Sequence, residues 1–321
     1  MKKTNLRFFI QMNFEENNIV ELEIQLDQCN ALLKNKPNDK MLYFSRGTIK
    51  MKMNDSHGAI IDFMRVIELD PYLPFVYLYK GYAEMMSGNI IGSIDDYDKV
   101  TNLDPHCLEA WYSKGCAKSY QGKKWDAIWD YTHALDINPL HEGSLINRGL
   151  DKSELGDQSG AIVDFNKALT VNQSNTFVYV NRGIAKYRSG DNKGAIRDYN
   201  SSIAIDPGCA EAYSNMAYAK FELGDFEGAI EVNNKALEII PDYAEVIYCN
   251  GIVKCQIFDY VNGIKDFDEA IRIDPDYAWA YLGRGMAYIS LGDKETGYQN
   301  IVKAGDLGLQ DALDMLQADL N

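Results

Sequence analysis

Apolar residues recur along this chain at steps of three and four, and glycine, aspartate and proline interrupt them at short intervals. That is the pattern of short amphipathic helices, with no strict alternation to suggest strands. The stretch 176–209, TFVYVNRGIAKYRSGDNKGAIRDYNSSIAIDPGC, shows one full cycle. Its first run carries Val178, Tyr179, Gly183, Ala185 and Tyr187, and its second carries Ala195, Ile196, Tyr199, Ile203 and Ile205. Gly190 suits the left-handed position just past a helix end, Asp191 can cap the next helix, and Pro207 cannot continue one. The spacing predicts helix, tight turn, helix, stop.

The cycle repeats every 34 residues. Prolines stand at 37, 71, 105, 139, 207, 241 and 275, seven of the eight in the chain, with Gln173 breaking the series. Glycine recurs at 47, 81, 115, 149, 183, 251 and 285, with Ala217 in the gap. A small residue recurs at Ala59, Ser93, Ala127, Ala161, Ala195, Ala229, Gly263 and Gly297. A large one recurs at Tyr43, Tyr77, Trp111, Leu145, Tyr179, Tyr213, Ile247 and Tyr281. A fixed period of this length is the mark of an array of identical supersecondary units.

In order, residues 1–39 read as an incomplete, degenerate half-repeat. A short helix is expected over 6–14 and a loop over Glu15 to Asn18. Ile24, Leu26, Cys29, Leu32 and Leu33 then share a helix that ends at Lys36-Pro37. Eight full units follow without insertion over 40–311, beginning at Lys40, Pro74, Leu108, Glu142, Thr176, Ala210, Ala244 and Ala278. Numbered from those residues, helix A spans positions 2–14 and helix B 17–31. The last unit departs from the pattern at Gly297, Ile301 and Gly305. A further helix covers 310–320, so that 312–321 act as a capping helix. Ala312, Leu313, Leu316 and Leu320 would face inward and Asp311, Asp314, Gln317 and Asp319 water, as a terminal unit needs. No linker or low-complexity segment suggests a second domain, and the expectation is a single continuous array.

These columns resemble those of the tetratricopeptide repeat family, over 40–311 and with degenerate edges. The resemblance implies an all-α fold, a right-handed α-solenoid of stacked antiparallel helix pairs. It places the A helices along a concave groove and the B helices on the convex side, and it implies a protein-binding role.

Composition narrows the partner. The chain has 321 residues, 46% of them apolar, a formal net charge of −15 and a pI near 4.7. Nucleic acid is excluded as an expected partner because such binding draws its affinity from clustered Lys and Arg. An acidic membrane surface is disfavoured on the same ground, and no stretch has the length of a membrane span. Acidity also keeps an array soluble. Six cysteines, at 29, 107, 116, 209, 249 and 255, form no C-x-x-C pair and read as small buried residues in a reducing compartment. The opening MKKTNLRFFIQMNF is interrupted by Arg7 and Gln11 and makes a poor leader. The location expected is cytoplasmic.

Two columns pair by charge. Position 7 holds Arg46, Lys80, Lys114, Arg148, Arg182, Met216, Asn250 and Arg284, and position 23 holds Asp62, Asp96, Asp130, Asp164, Asp198, Val232, Asp266 and Asn300. Five units carry both charges, and Met216 and Val232 replace both at once. A partly buried salt bridge between the helices of each hairpin is predicted, since stranding one partner of a fully buried pair costs about 3–5 kcal/mol while replacing both is tolerated. Position 10 is small or apolar except at Asp151. That residue reads as an acid satisfied by Arg148, Lys152 or water, in preference to a buried acid with a raised pKa.

No catalytic, cofactor or metal site is expected. His57, His106, His133 and His141 fall on different units, and no H-E-x-x-H, paired Cys-His spacing or phosphate-binding glycine loop occurs. Glu211 and Glu245 could meet in the groove, but a solvated rim explains them. Some family members grip a chaperone C-terminal carboxylate with five polar residues. Asn147, Asn181 and Asn215 match the middle asparagine of that clamp, but its basic ends are missing on either side, so no clamp is expected.

The family's concave positions place Phe44, Met51, Phe75, Leu78, Tyr79, Tyr82, Met85, Met86, Tyr112 and Tyr120 in the first three units, and Trp279, Leu282, Met286 and Ile289 in the last. Part of this stripe should pack neighbouring helices. The remainder would be an exposed patch rich in aromatics and Met, suited to a peptide or partner helix. The expected partner-binding residues are Phe44, Leu78, Tyr79, Tyr82, Met86, Tyr112 and Tyr120. The leading expectation is a non-catalytic protein–protein interaction scaffold holding a protein or peptide segment in its groove. The alternatives are a homo-oligomeric structural module, such as a homodimer through the same patch or an end helix, and an enzyme using acidic groove residues.

Overall fold

The structure, a computed structural model, describes residues 19–318. The helix expected over 6–14, the loop at Glu15 to Asn18 and the inward placement of Leu320 lie outside the described residues. Among the described residues there are 18 helices and no strand. The chain divides after Val171 into two compact units.

The first unit holds α1 (Ile19–Asn35), α2 (Lys40–Lys52), α3 (Ser56–Leu69), α4 (Pro74–Ser87), α5 (Ile90–Leu103), α6 (Leu108–Tyr120), α7 (Lys124–Ile137), α8 (Glu142–Glu154) and α9 (Gln158–Val171). The second holds α10 (Thr176–Arg188), α11 (Asn192–Ile205), α12 (Ala210–Glu222), α13 (Phe226–Ile239), α14 (Ala244–Gln256), α15 (Tyr260–Ile273), α16 (Ala278–Ser290), α17 (Lys294–Asp306) and α18 (Gln310–Ala318). Each full repeat is a hairpin, and the A helices begin one residue earlier than the spacing predicts.

The turn inside each hairpin follows from local chemistry. Gly190 sits at φ +87°, a conformation that costs an L side chain on the order of 1–2 kcal/mol. The next residue, Asp191, accepts from the Gly194 amide and caps α11. Asp55, Asn89, Asp157, Asp225, Asp259 and Asp293 cap six of the other seven B helices in the same way, while Lys123 before α7 makes no side-chain cap. Among the described residues, only Asn54 and Phe258 bring a side chain to the left-handed position, at φ +62° and +65°.

The two helices of a hairpin meet where glycine lets an aromatic ring in. A Cβ on Gly47, Gly81, Gly115, Gly149, Gly183 or Gly251 would stand 2.5–2.8 Å from the ring of Phe63, Tyr97, Tyr131, Phe165, Tyr199 or Phe267 respectively. All six rings are buried. In the α12–α13 hairpin, Ala217 replaces the glycine and Asn233 replaces the ring together. The small-residue column at Ala59, Ala127, Ala161, Ala195 and Ala229 is fully buried, as close helix packing requires.

Charged staples then bind the two helices of a hairpin together. The five predicted pairs form: Arg46–Asp62 at 2.5 Å, Lys80–Asp96 at 2.7 Å, Lys114–Asp130 at 3.2 Å, Arg148–Asp164 at 2.7 Å and Arg182–Asp198 at 2.6 Å. The sequence reading missed a second cation at position 11. Lys50, Lys118, Lys152 and Lys186 reach the same aspartates at 2.7–2.8 Å. The position-7 side chain also reaches back sixteen residues to the preceding B helix, as in Arg46 to Asn30, Lys114 to Asp98, Arg148 to Thr132 and Arg284 to Asp268. Met216 and Val232 are both buried, and Lys220, lacking an acid at position 23, turns to Asp225.

Within each unit, successive A helices touch: α2 with α4 and α6 with α8 in the first, α10 with α12, α12 with α14 and α14 with α16 in the second. The B helices make their main contacts with the A helices on either side. The A helices therefore form the inner wall of each unit. One terminal expectation, on α18, needs correction, whereas α1 carries the five residues expected on it. On α1 the buried residues are Leu22 and Leu33, with Ile24 and Leu32 about half exposed, because the stripe runs through Leu22, Leu26, Cys29 and Leu33. On α18, Ala312 is fully buried and Leu316 packs on the core, but Leu313 is exposed, covering Gly305 from the edge.

Candidate functional site

The inner wall of the first unit carries a chain of aromatic rings in contact. Phe44 on α2 stands edge-on to Phe75 at 4.9 Å between centroids and to Tyr79 at 5.1 Å, both on α4. Tyr79 continues to Tyr82 at 6.0 Å, and Tyr82 to the buried Tyr97 at 5.9 Å. Such edge-to-face pairs are favoured by the ring quadrupole. The period places these rings together, because one turn separates Phe75, Tyr79 and Tyr82 on one helix and Phe44 occupies the neighbouring repeat's equivalent of Leu78.

Of the seven residues expected to bind a partner, Phe44, Leu78, Tyr79, Tyr82, Met86 and Tyr112 are half-buried and Tyr120 is 50% exposed. Phe44, Tyr79 and Met86 pack on the cluster around Phe63, and Leu78 and Tyr82 pack beside Met85 and Tyr97. Burial pushes the Tyr82 phenol up to about 12, so it stays neutral. Tyr112 lies against His141 at 4.9 Å, and its phenol oxygen accepts from Asn147 Nδ2 at 3.3 Å. Tyr112 does not join the ring chain. The patch is therefore a half-buried aromatic seam with its outer edges open.

Polar groups on the same wall behave differently from repeat to repeat. Asn181 and Asn215 donate back to the carbonyls of Phe177 and Glu211, one turn earlier. Asp151 is 3% exposed, and its expected partners, Arg148 and Lys152, both turn to Asp164. This corrects the reading of Asp151 as an acid satisfied by its neighbours. Its Oδ1 accepts from Ser119 at 2.7 Å, its Oδ2 has no partner, and burial raises its carboxyl to about 6. Asp96 is also raised to about 6 by burial, in the one ion-paired hairpin where Glu84 stands at position 11 in place of lysine.

The histidines do not converge. His57 and His106 are exposed, His133 on the B helix α7 stacks on Trp111 of α6 and lies tilted against Trp129, and His141 caps α8. Among the described residues no three of His, Cys, Asp or Glu are grouped to hold a metal ion, and no helix is long and apolar enough to cross a membrane.

Two models of the tetratricopeptide repeat family match the chain, over residues 186–247 and 42–72. No curated protein sequence matches it. Among solved structures, a tetratricopeptide repeat protein from Parabacteroides merdae is similar over 77% of this chain and 99% of its own, at 18% identity and a TM-score of 0.66. YrrB, described as a TPR protein with an unusual peptide-binding site, is similar over 58% of this chain and 95% of its own, at 20% identity and a TM-score of 0.54. The APC/C hetero-tetramer Cut9–Hcn1 is similar over 89% of this chain and 56% of its own, at 15% identity and a TM-score of 0.58. At these identities the likeness is one of fold, an all-α solenoid; it is the match to the repeat-family models that suggests a protein–protein interaction scaffold. With the hairpin period, the ring-on-glycine seat and the matched segments in agreement, the chain is a tetratricopeptide repeat protein.

Proposed function

We propose that the chain is a non-catalytic scaffold whose inner wall holds a peptide or helical segment of another protein. The observation that carries this is the aromatic seam Phe44–Tyr79–Tyr82, which leaves ring edges open along the face where neighbouring A helices meet. Partly open aromatic edges suit a partner because they bury much area for few frozen torsions. The solved peptide-binding relative YrrB shares the fold, which supports a peptide as the partner. The net charge of −15 favours a protein partner over nucleic acid or an acidic membrane. Six cysteines carried as free thiols support a reducing compartment, the cytoplasm.

Alanine at these half-buried rings would unsettle the core, so the test is placement of a photo-crosslinker. p-Benzoylphenylalanine at Tyr79 or Tyr120 should trap a discrete polypeptide, and the same group at Trp125, 68% exposed on the B helix α7, should not. Equal trapping from both faces, or none from the inner wall, would overturn the reading.

A further inference from the structure

The inner wall of the second unit is not lined like that of the first. At position 2 of α12 and of α14, two A helices in contact, stand Glu211 and Glu245, both exposed. Neither makes an ion pair among the described residues. Tyr218, also on α12, donates its phenol to Glu245 Oε1 at 3.4 Å. Tyr277 stands edge-on to Tyr248 at 5.3 Å. Burial, with the Glu245 charge behind it, holds the Tyr218 and Tyr277 phenols well above their usual range, so both stay neutral. Burial first and Glu245 second raise the Glu211 carboxyl, so the two acids feel one another.

Each glutamate alone is explained by its place in a helix's first turn, where a carboxylate complements the positive end of the helix. That explanation does not account for two like charges on adjacent helices beside phenolic rings. Such an arrangement is relieved by a cation, because carboxylates and ring faces both attract an ammonium or guanidinium group. Phe177 and Trp279, at position 2 of α10 and α16, are 46% and 42% exposed and give apolar footing for the residues around that cation.

We propose that Glu211 and Glu245, with Tyr218 beside them, seat a lysine or arginine side chain of a basic peptide segment from another protein. Charge decides the occupant: a chain of net charge −15 draws a basic segment and repels a second copy of itself. The proposal rests on the inner wall as the binding face and adds the chemistry of the partner.

The test uses the full chain and fluorescence anisotropy with fluorescein-labelled hexalysine, hexa-arginine and hexaglutamate. Glu211→Gln with Glu245→Gln is compared with Glu227→Gln with Glu231→Gln, a charge-matched pair of exposed acids on the B helix α13 of one hairpin. Hexalysine and hexa-arginine should bind, and the inner double variant should lose about tenfold or more in affinity. The outer double variant should lose less than about twofold. Hexaglutamate should not bind. Glu245→Gln alone should fall between, and thermal melts should show every variant folded. Equal losses in the two double variants would mean diffuse attraction and overturn the seat, as would no binding at all. A dimer on size exclusion that dissociates in the inner double variant would make a second copy the occupant and overturn it too. Cross-links from Tyr79 and Tyr120 that persist while hexalysine binding fails would remove the basic seat and leave the groove reading standing. Hexalysine binding without those cross-links would do the reverse.

Discussion

Ser119 on α6 donates a 2.7 Å hydrogen bond to Asp151 Oδ1 on α8, one hairpin further on, and Asp151 Oδ2 receives none. Burial raises this carboxyl to about 6, against the smaller pull of the Ser119 bond and of Lys124. A raised carboxyl pKa gives stability that is fully present below the unfolded value near 4 and is lost as pH climbs through 6. Above pH 6 the ionised Asp151 is a burden on the fold. Asp151→Ala installs the residue that Ala83, Ala117, Ala185, Ala219 and Ala287 supply in the same column. It should stabilise the chain by about 2 kcal/mol at pH 8 and by little at pH 4. Urea denaturation at the two pH values checks this, and a gain equal at both would point to packing in place of ionisation.

The charged staple of the α8–α9 hairpin gives a double-mutant cycle. Asp164 is fully buried with Arg148 and Lys152 both bound to it. Asp164→Val strands two cations and should cost about 3 kcal/mol, whereas Arg148→Met leaves Lys152 in place and should cost about 1–2 kcal/mol. The double variant copies Met216 and Val232, and Lys152 can then turn to Asp157 as Lys220 turns to Asp225. Its cost should fall below the sum of the singles by about 1 kcal/mol or more, read from chemical denaturation. Strict additivity would mean that the two positions do not act as a pair.

The repeat made most of each hairpin legible before any coordinates. Identical spacing fixed which residues face one another, so the Arg148–Asp164 and Arg182–Asp198 pairs followed from the columns alone. The lysine column at position 11 was equally visible, but its members sit one turn beyond the position-7 cations already assigned to the same aspartates. The Asp151 environment was not legible, because Arg148 and Lys152 are its neighbours in sequence and the structure spends both on Asp164. The aromatic seam was legible as a set of concave positions. How far those rings bury one another was not, since that depends on the approach of α2 and α4. The pairing of Tyr218 with Glu245 joins two repeats at different positions, and no column of equal spacing reveals it.

Gly183 sits against the ring of Tyr199, where a methyl group would come within 2.5 Å. Tyr199 is 1% exposed, so the ring has no free space to retreat into. Gly183→Ala should therefore cost about 1–3 kcal/mol through overpacking, although alanine is the better helix former. Ala217 and Asn233 show the compensation that the chain itself uses. Adding Tyr199→Asn to Gly183→Ala should cost less than the two substitutions summed, because the asparagine removes the clash. Thermal melts of the singles and the double decide it, and a neutral Gly183→Ala would show that the hairpin opens without penalty.

Phe258 takes the left-handed turn position that glycine fills in most other repeats, at φ +65°, and it is 79% exposed. Its one ring contact is with Tyr260 at 6.3 Å. A bulky L side chain in this conformation is strained by roughly 1–2 kcal/mol, and an exposed ring recovers little by burial. Phe258→Gly relieves the strain at the expense of a more flexible unfolded chain, leaving a net stabilisation of about 1 kcal/mol. Phe258→Ala keeps the strain and removes only the ring contact, so it should be neutral or slightly destabilising. The two variants therefore separate backbone strain from side-chain contact in one thermal-melt comparison. If alanine matched glycine, the exposed ring, and not the backbone angle, would be the source of the instability.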